Sequence, residues 1–192
     1  MFNLKVLCKE ETEKVLEMPE VIRVVESAYA QKAAENAAIF DWVFYEFNPG
    51  VADMDIKSGW LKSNGVYGMK LVSWFSENKQ KDLPDIVGVI MVFDDKTGRP
   101  IGLVDGAHIT GMRTGAAGAI GAKYMAKKNA KTLLMVGTGH ISKFEIAATL
   151  IAIESIDEVL IHDPRAHEGA EALASNIKEI LSNEFGVNRE IK

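Results

Sequence analysis

The chain has 192 residues, of which 47% are hydrophobic and 26% are charged, and its formal net charge is −5. This composition is ordinary for a soluble globular protein with one good core or two small ones, and the acidic balance argues against nucleic-acid binding as a main role. The single cysteine, Cys8, excludes an internal disulfide framework, and no apolar run is long enough to span a bilayer, so we expect a cytoplasmic protein.

The first half of the chain predicts helices followed by strands. A short charged helix is expected over residues 9–17 and an amphipathic helix over residues 18–34, where apolar residues recur at three- and four-residue spacing. Strands are expected over residues 40–47, 54–61, 66–75, 86–93 and 101–104. The last two flank a tight connection and should pair as a hairpin. This half therefore predicts an α+β domain with a mostly antiparallel sheet.

The second half begins with an alanine- and glycine-rich helix over residues 110–127, which allows close packing against its neighbours. A strand, a glycine turn, a helix, a second strand and a terminal acid then follow between residues 132 and 163, the order of a dinucleotide-binding βαβ unit. A helix over 168–181, a turn over 182–186 and a third strand over 187–191 are predicted after it. Because a nucleotide-binding sheet usually has more strands, this domain is expected to be incomplete.

Three residues of the βαβ unit suit a dinucleotide. Gly137 allows the tight turn that ends the strand, and Gly139 lets the backbone approach a pyrophosphate at the N-terminus of the next helix, where unpaired N–H groups favour an anion. Asp163 ends the second strand, where a carboxylate can accept hydrogen bonds from a ribose diol. We therefore expect NAD(H) to bind better than NADP(H), since the acid repels a 2′-phosphate.

The predicted fold class is α/β, with an N-terminal α+β domain over residues 1–128 and an incomplete Rossmann-type domain over residues 129–192.

Several segments, in order and approximate spacing across nearly the whole chain, resemble the ornithine cyclodeaminase/mu-crystallin family. They are residues 68–73, 78–84, 95–100, 105–106, 109–117, 122–126 and 136–139. The run ITxxRTGAA after a DxxTGxP hairpin is specific. The resemblance implies an NAD-dependent enzyme acting at the Cα–N bond of a small L-amino acid. It also implies a homodimer whose contact lies in the N-terminal, substrate-binding domain.

The resemblance also implies roles for individual residues. Lys70 matches the family lysine in the substrate pocket and is the candidate catalytic residue, and Arg113 matches the arginine that holds the substrate carboxylate. A planar guanidinium suits that task because it can donate two parallel hydrogen bonds. Lys57 resembles a lysine that some members carry upstream of the pocket lysine, and we expect it to bind substrate. Cofactor contacts are expected from Thr114, Gly137, Thr138, Gly139, His140, Ile141, Asp163 and Arg165.

The chain also departs from the family pattern. It lacks the arginine that many members carry in the segment 40–47, and His140 follows the second glycine where the family usually has a glutamine. Ser142 replaces the third glycine of the general fingerprint, which should loosen helix–strand packing. The family's catalytic aspartate lies downstream of the last residue here, so we expect activity only if a second chain completes the Rossmann domain. No spacing of histidine, cysteine, aspartate and glutamate suggests a metal site.

The main expectation is an ornithine cyclodeaminase-like lyase that converts L-ornithine to L-proline and ammonia with tightly held NAD. The alternatives are an NAD(P)-dependent alanine dehydrogenase or ketimine/pyrroline-2-carboxylate reductase and, from another class, a truncated non-catalytic binding protein. A cyclodeaminase needs only catalytic NAD+ and releases ammonia, whereas a dehydrogenase accumulates NADH in proportion to product.

Overall fold

The computed structural model describes residues 3–192. In chain order its elements are β1 (Lys5–Leu7), α1 (Lys9–Val15), α2 (Met18–Ala33), β2 (Ala37–Ile39), β3 (Val43–Asn48), β4 (Ala52–Leu61), a 3₁₀ helix (Lys62–Asn64), β5 (Val66–Phe75), a second 3₁₀ helix (Ser76–Lys81), β6 (Ile86–Asp94), β7 (Pro100–Asp105), α3 (Ala107–Met125), β8 (Thr132–Val136), α4 (Ser142–Ala152), β9 (Glu158–His162) and α5 (His167–Phe185). Within this described part, no helix has both the length and the apolar character needed to cross a membrane.

The described chain divides into two compact units. Unit 1 holds the residues up to Val15 and Ser27–Thr110, and unit 2 holds Leu16–Glu26 and Gly111–Lys192. The division falls inside α2 and α3, whereas the sequence placed a domain boundary between residues 128 and 129. The difference arises because α3 packs its buried glycines and alanines against α4, which draws most of this helix into unit 2.

Unit 1 is built on one sheet with the strand order β1-β7-β6-β5-β4-β2, in which β3 also pairs with β4. The predicted mostly antiparallel α+β arrangement is confirmed, including the β6–β7 hairpin, and the pairing of β1 with β7 is parallel. The third predicted strand matches β5 from end to end. The aromatic strand is shorter than predicted and begins at Val43, and the sequence did not indicate β1.

A wholly exposed strand lies at one edge of this sheet. Every residue of β3 is exposed, although most of its side chains are apolar or aromatic. We call Trp42, Phe44, Tyr45 and Phe47 the β3 aromatic surface; Trp42 contacts Phe44 on one face of the strand, and Tyr45 contacts Phe47 on the other face, where Phe47 also stacks on Phe75. Unit 1 therefore carries an uncovered aromatic surface of a kind that usually marks an interaction site.

The first core of unit 2 joins α2, α3 and α4. Met18 and Ile22 of α2, Met112 and Ala116 of α3, and Phe144 of α4 are among its buried residues. The predicted close packing of the glycine-rich helix is confirmed, because a Cβ atom built on Gly115 would lie only 2.6 Å from the backbone carbonyl carbon of Phe144. The absence of a side chain therefore lets α3 and α4 approach backbone to backbone.

The second core of unit 2 lies under a two-stranded parallel sheet. β8 and β9 pair in register from Thr132 and Glu158, as predicted for a βαβ unit, and α4 and α5 supply most of the buried residues. The opposite face of this sheet exposes Leu134, Val136 and Leu160. One face of this small sheet therefore has no apolar cover within the described residues.

The predictions after β9 need two corrections. The predicted turn at residues 182–186 is wrong, since α5 continues to Phe185 and ends at Gly186, whose φ of 66° is left-handed. Phe185 packs against both cores, which outweighs the local turn signal. No strand forms over residues 187–191. Instead, the backbone of Lys192 bonds to Asp157 and Val159, the pattern of a parallel pair beside β9.

Candidate functional site

Two lysines face each other across the central strands of unit 1. Lys57 on β4 and Lys70 on β5 are direct partners in the antiparallel register, and the adjacent pair on the same face is Gly59 with Gly68. An open cavity of about 320 Å³ lies over these positions. Its lining residues are Lys57, Ser58, Gly59, Gly68, Met69, Lys70 and Ile90. The two glycines leave this part of the sheet without side chains, so both ammonium groups border the same space.

The two ammonium groups have different partners. Lys57 Nζ lies 2.8 Å from Asp55 Oδ2 and 5.7 Å from the centre of the Trp42 ring, and its side chain is 60% exposed. Lys70 is half-buried, and its Nζ lies 3.4 Å from Thr110 Oγ1, whose hydroxyl donates to the Gly106 carbonyl at 2.7 Å. Lys57 is thus the exposed, partly neutralised cation, and Lys70 is the sheltered one.

Asp55 adds negative charge to the same sheet face. Its Oδ1 atom is buried and accepts no hydrogen bond from the described residues, while Oδ2 pairs with Lys57. Sequence reasoning did not single out Asp55 or Thr110. The signal was present for both: Asp55 is two residues from Lys57 on a strand, which places their side chains on the same face, and Thr110 lies within the specific run around Arg113.

Arg113 lies in unit 2, on the second turn of α3. The residue before it, Met112, is buried in the first core, whereas the Arg113 side chain is exposed. Among residues 3–192 the guanidinium makes neither an ion pair nor a hydrogen bond. Its five N–H donors are therefore available to an anion from solution.

The turn after β8 is open to a ligand. Gly137 has a φ of 97°, a left-handed conformation that favours glycine, and a Cβ atom built on Gly137 or Gly139 would have no atom within 4 Å. No side chain caps the N-terminus of α4 at Ile141, and the buried Ser142 donates from Oγ to the Gly139 carbonyl at 2.7 Å. An open turn beside an uncapped helix N-terminus fits a pyrophosphate.

Asp163 lies immediately after β9 and binds both neighbouring loops. Its Oδ2 atom accepts from the N–H and the hydroxyl of Thr138 at 3.1 and 2.9 Å, and its Oδ1 atom accepts from the N–H groups of Arg165 and Ala166 at 3.0 and 3.2 Å. The hydrogen bonds from the Arg165 N–H and the Thr138 hydroxyl hold the pKa of this carboxyl below its usual range. The carboxylate that was expected to bind a ribose therefore already accepts four hydrogen bonds from within the protein.

The remaining predicted cofactor residues are spread over unit 2. His140 is exposed and its ring lies 5.3 Å from that of Phe144, edge to face. Thr114 on α3 and Ile141 at the start of α4 are half-buried, and Arg165 is exposed. The described residues contain no group of three or more histidine, cysteine, aspartate or glutamate side chains that could hold a metal ion.

Comparison with known proteins shows the family to which the chain belongs and the relatives it resembles. Residues 3–189 match the model of the ornithine cyclodeaminase/mu-crystallin family. An alanine dehydrogenase from Archaeoglobus fulgidus is 32% identical over 160 residues, which are 83% of this chain and 48% of that protein. The chain spans about half the length of the relatives it matches.

Two solved structures share the fold. The Δ1-pyrroline-2-carboxylate reductase of Thermococcus litoralis, in complex with NADH and L-proline, matches with a TM-score of 0.84 at 29% identity, over 94% of this chain and 55% of that one. An archaeal alanine dehydrogenase dimer with bound NAD matches with a TM-score of 0.84 at 30% identity, over 92% and 53% of the two chains. The predicted α/β class with a Rossmann-type portion is thereby confirmed.

Proposed function

Because this chain belongs to the ornithine cyclodeaminase/mu-crystallin family, we propose that it serves an NAD-dependent oxidoreductase acting at the Cα–N bond of a small L-amino or imino acid. The reaction is that of an alanine dehydrogenase or a ketimine/pyrroline-2-carboxylate reductase. The relatives compared above have these two activities, which favours them over the expected conversion of L-ornithine to L-proline and ammonia. The observation that carries the proposal is the pair of lysines bordering one cavity.

On the substrate side, we propose that Lys70 is the catalytic residue and that Lys57 and Arg113 bind substrate. Lys70 is held at Thr110 Oγ1 and can supply the proton that nitrogen takes up when a Cα=N bond is reduced. Arg113 has no competing anion among the described residues and suits the α-carboxylate. Lys57 supplies a second cation at the cavity, beside Asp55.

On the cofactor side, we propose that the open glycine turn and the end of β9 hold NAD. When bound, the reduced nicotinamide supplies the hydride that reaches Cα. The residues proposed to hold the cofactor are Thr114, Gly137, Thr138, Gly139, His140, Ile141, Asp163 and Arg165. The functional division proposed is a substrate-binding and dimerisation domain over residues 1–128 and part of a dinucleotide-binding domain over residues 129–192.

We propose that the uncovered sheet face with Leu134, Val136 and Leu160 is covered by further Rossmann elements, from a longer form of this chain or from a second chain. Three exposed apolar side chains on one small sheet face favour such a cover. We place the protein in the cytoplasm, because Cys8 is an exposed free thiol of a kind that suits a reducing compartment.

The reaction is tested by its stoichiometry in the protein purified from its source, whose intact subunit mass is measured first. With pyruvate and ammonia, or with Δ1-pyrroline-2-carboxylate, NADH should be consumed in a 1:1 ratio to the amino acid formed. Lys70→Met should lower kcat by about 100-fold or more, the usual contribution of a proton donor, while Lys81→Met, an exposed lysine on the second 3₁₀ helix, should have no effect.

Release of ammonia from L-ornithine without net formation of NADH would instead support the cyclodeaminase reaction. A protein that binds NADH yet turns over none of these substrates would instead be a non-catalytic binding protein.

We propose a homodimer formed through the β3 aromatic surface. The archaeal alanine dehydrogenase is a dimer, and this surface is uncovered here. Phe44→Glu should convert a dimer to a monomer in sedimentation velocity, because it places a charge within an apolar contact. Val24→Glu is the matched control, since Val24 is 47% exposed and Phe44 is 46% exposed. A wild-type monomer, or a Phe44→Glu dimer as stable as wild type, would contradict the proposal.

A further inference from the structure

A carboxylate lies beside the two lysines that border the cavity of unit 1. Asp55 and Lys57 are two residues apart on β4, so their side chains share one face of the sheet, and Lys70 faces Lys57 from β5. Lys57 Nζ lies 2.8 Å from Asp55 Oδ2. The positive charge of Lys57 is therefore offset by Asp55 before any substrate binds.

The surroundings of Asp55 favour this ion pair. Its direct neighbours across the sheet are apolar, Phe44 on β3 and Val72 on β5, and its side chain is only 17% exposed. Oδ1 is buried and accepts no hydrogen bond from the described residues. A carboxylate placed among apolar neighbours is costly unless a cation compensates it. Within the described chain that compensation comes from Lys57.

A second contact restrains the same ammonium group. Lys57 Nζ lies 5.7 Å from the centre of the Trp42 ring, within the range of a cation–π interaction. An ammonium group has three N–H donors, so pairing with one carboxylate oxygen leaves others for a ligand. The Asp55–Lys57 pair therefore brings hydrogen-bond donors to the cavity but little net charge.

We infer that Asp55 is a positioning residue that selects the charge of the substrate, so that the cavity accepts a 2-oxo or 2-imino acid with one carboxylate and an uncharged side chain and rejects a dicarboxylate. The inference rests on the proposed function and names the substrate class of that site. A second carboxylate near Lys57 would meet a cation that is already paired and would be repelled by Asp55. Like-charge repulsion of this kind gives specificity against the wrong ligand.

The test compares 2-oxopentanoate with 2-oxoglutarate, because both have five carbons and differ only in a terminal methyl or carboxylate group. Isothermal titration of the full chain, with and without NADH, should show 2-oxopentanoate binding about tenfold tighter. This is the effect of one like charge within about 10 Å near a protein surface. Asp55→Asn keeps the shape and removes the charge, so it should tighten 2-oxoglutarate by about tenfold relative to 2-oxopentanoate.

Two further variants separate charge from structure. Asp53→Asn is the matched control, since it removes the same charge from the same face of β4 about 7 Å farther along the strand. It should change the ratio of the two affinities by less than about twofold, because screening weakens the more distant charge. Asp55→Glu retains the charge and should keep the preference for 2-oxopentanoate.

The outcomes distinguish this inference from the proposed function. Equal binding of the two acids by wild type, or an unchanged ratio in an Asp55→Asn variant that melts like wild type, would overturn the inference while the cavity stands as the substrate site. If Asp55→Asn does not fold, the ratios of wild type and Asp55→Glu decide the matter. If wild type binds neither acid, the proposed substrate site itself is refuted.

Discussion

Replacing Arg113 with alanine should cost about 2–5 kcal/mol of substrate interaction, the range for truncating one partner of a buried charge pair. This corresponds to a loss of about 30- to 4,000-fold in kcat/KM. The guanidinium has no competing anion among residues 3–192, so its full charge is available to a carboxylate. Its exposed side chain contributes nothing to the core beneath Met112, and the melting temperature should therefore stay within about 1–2 °C of wild type.

Two controls make the Arg113 result specific. Arg113→Lys keeps the charge and loses the planar fork, so it should recover only part of the lost kcat/KM. Arg99→Ala removes an exposed arginine from the turn between β6 and β7 and should leave kcat/KM unchanged. Steady-state kinetics over a range of amino-acid concentrations measures all three variants. An Arg113→Ala enzyme with wild-type kcat/KM would remove this residue from the substrate site.

Gly115→Ala should destabilise the protein by a net value of about 2 kcal/mol, because its overpacking cost should lie at the upper end of the usual range of about 1–3 kcal/mol. The new Cβ would lie 2.6 Å from the carbonyl carbon of Phe144 and 3.0 Å from its Cβ, and a backbone group cannot rotate away as a side chain can. The helix-propensity gain of alanine over glycine, about 1 kcal/mol, offsets only part of this cost. The melting temperature should fall by about 4–8 °C.

Gly121→Ala is the matched control on the same helix and should have the opposite sign. Its new Cβ would meet only the Cε atom of Met125, at 3.4 Å, and that flexible side chain can move. The substitution should therefore raise stability by about 0.5–1 kcal/mol. Thermal unfolding followed by circular dichroism measures both variants. Equal effects of the two substitutions would mean that α3 and α4 do not approach each other as closely as described.

The strands of unit 1 could be predicted because their sequences are long and β-prone. β4, β5 and β6 each extend over nine or more residues, and their hairpin turns carry glycine or proline signals. β1 could not be predicted in this way, because three residues are too few to show a period and its pairing with β7 joins distant parts of the chain. The end of α5 was missed because Phe185 gains burial in both cores, which the local sequence does not express.

The residues of the candidate site could be proposed one by one from the sequence, but the contacts among them depend on the fold. The opposition of Lys57 and Lys70 depends on the register of β4 against β5, which is set by the connection between them rather than by either strand alone. The hydrogen bonds of Asp163 depend on where the Thr138 hydroxyl lies, and a Cβ atom at Gly169 on α5 would meet that hydroxyl. Sequence spacing carries no information about such distances.

The two units interleave along the chain, and this has a consequence for synthesis. Met18 and Ile22 leave the ribosome early, yet their core partners in unit 2, Met112 and Ala116, follow only after the rest of unit 1 has been made. Neither unit is a contiguous stretch, so neither can be excised as a single fragment. A truncation near residue 110 would leave the apolar face of α2 without its packing partners in unit 2. A nascent chain paused there would present that face to chaperones until translation resumed.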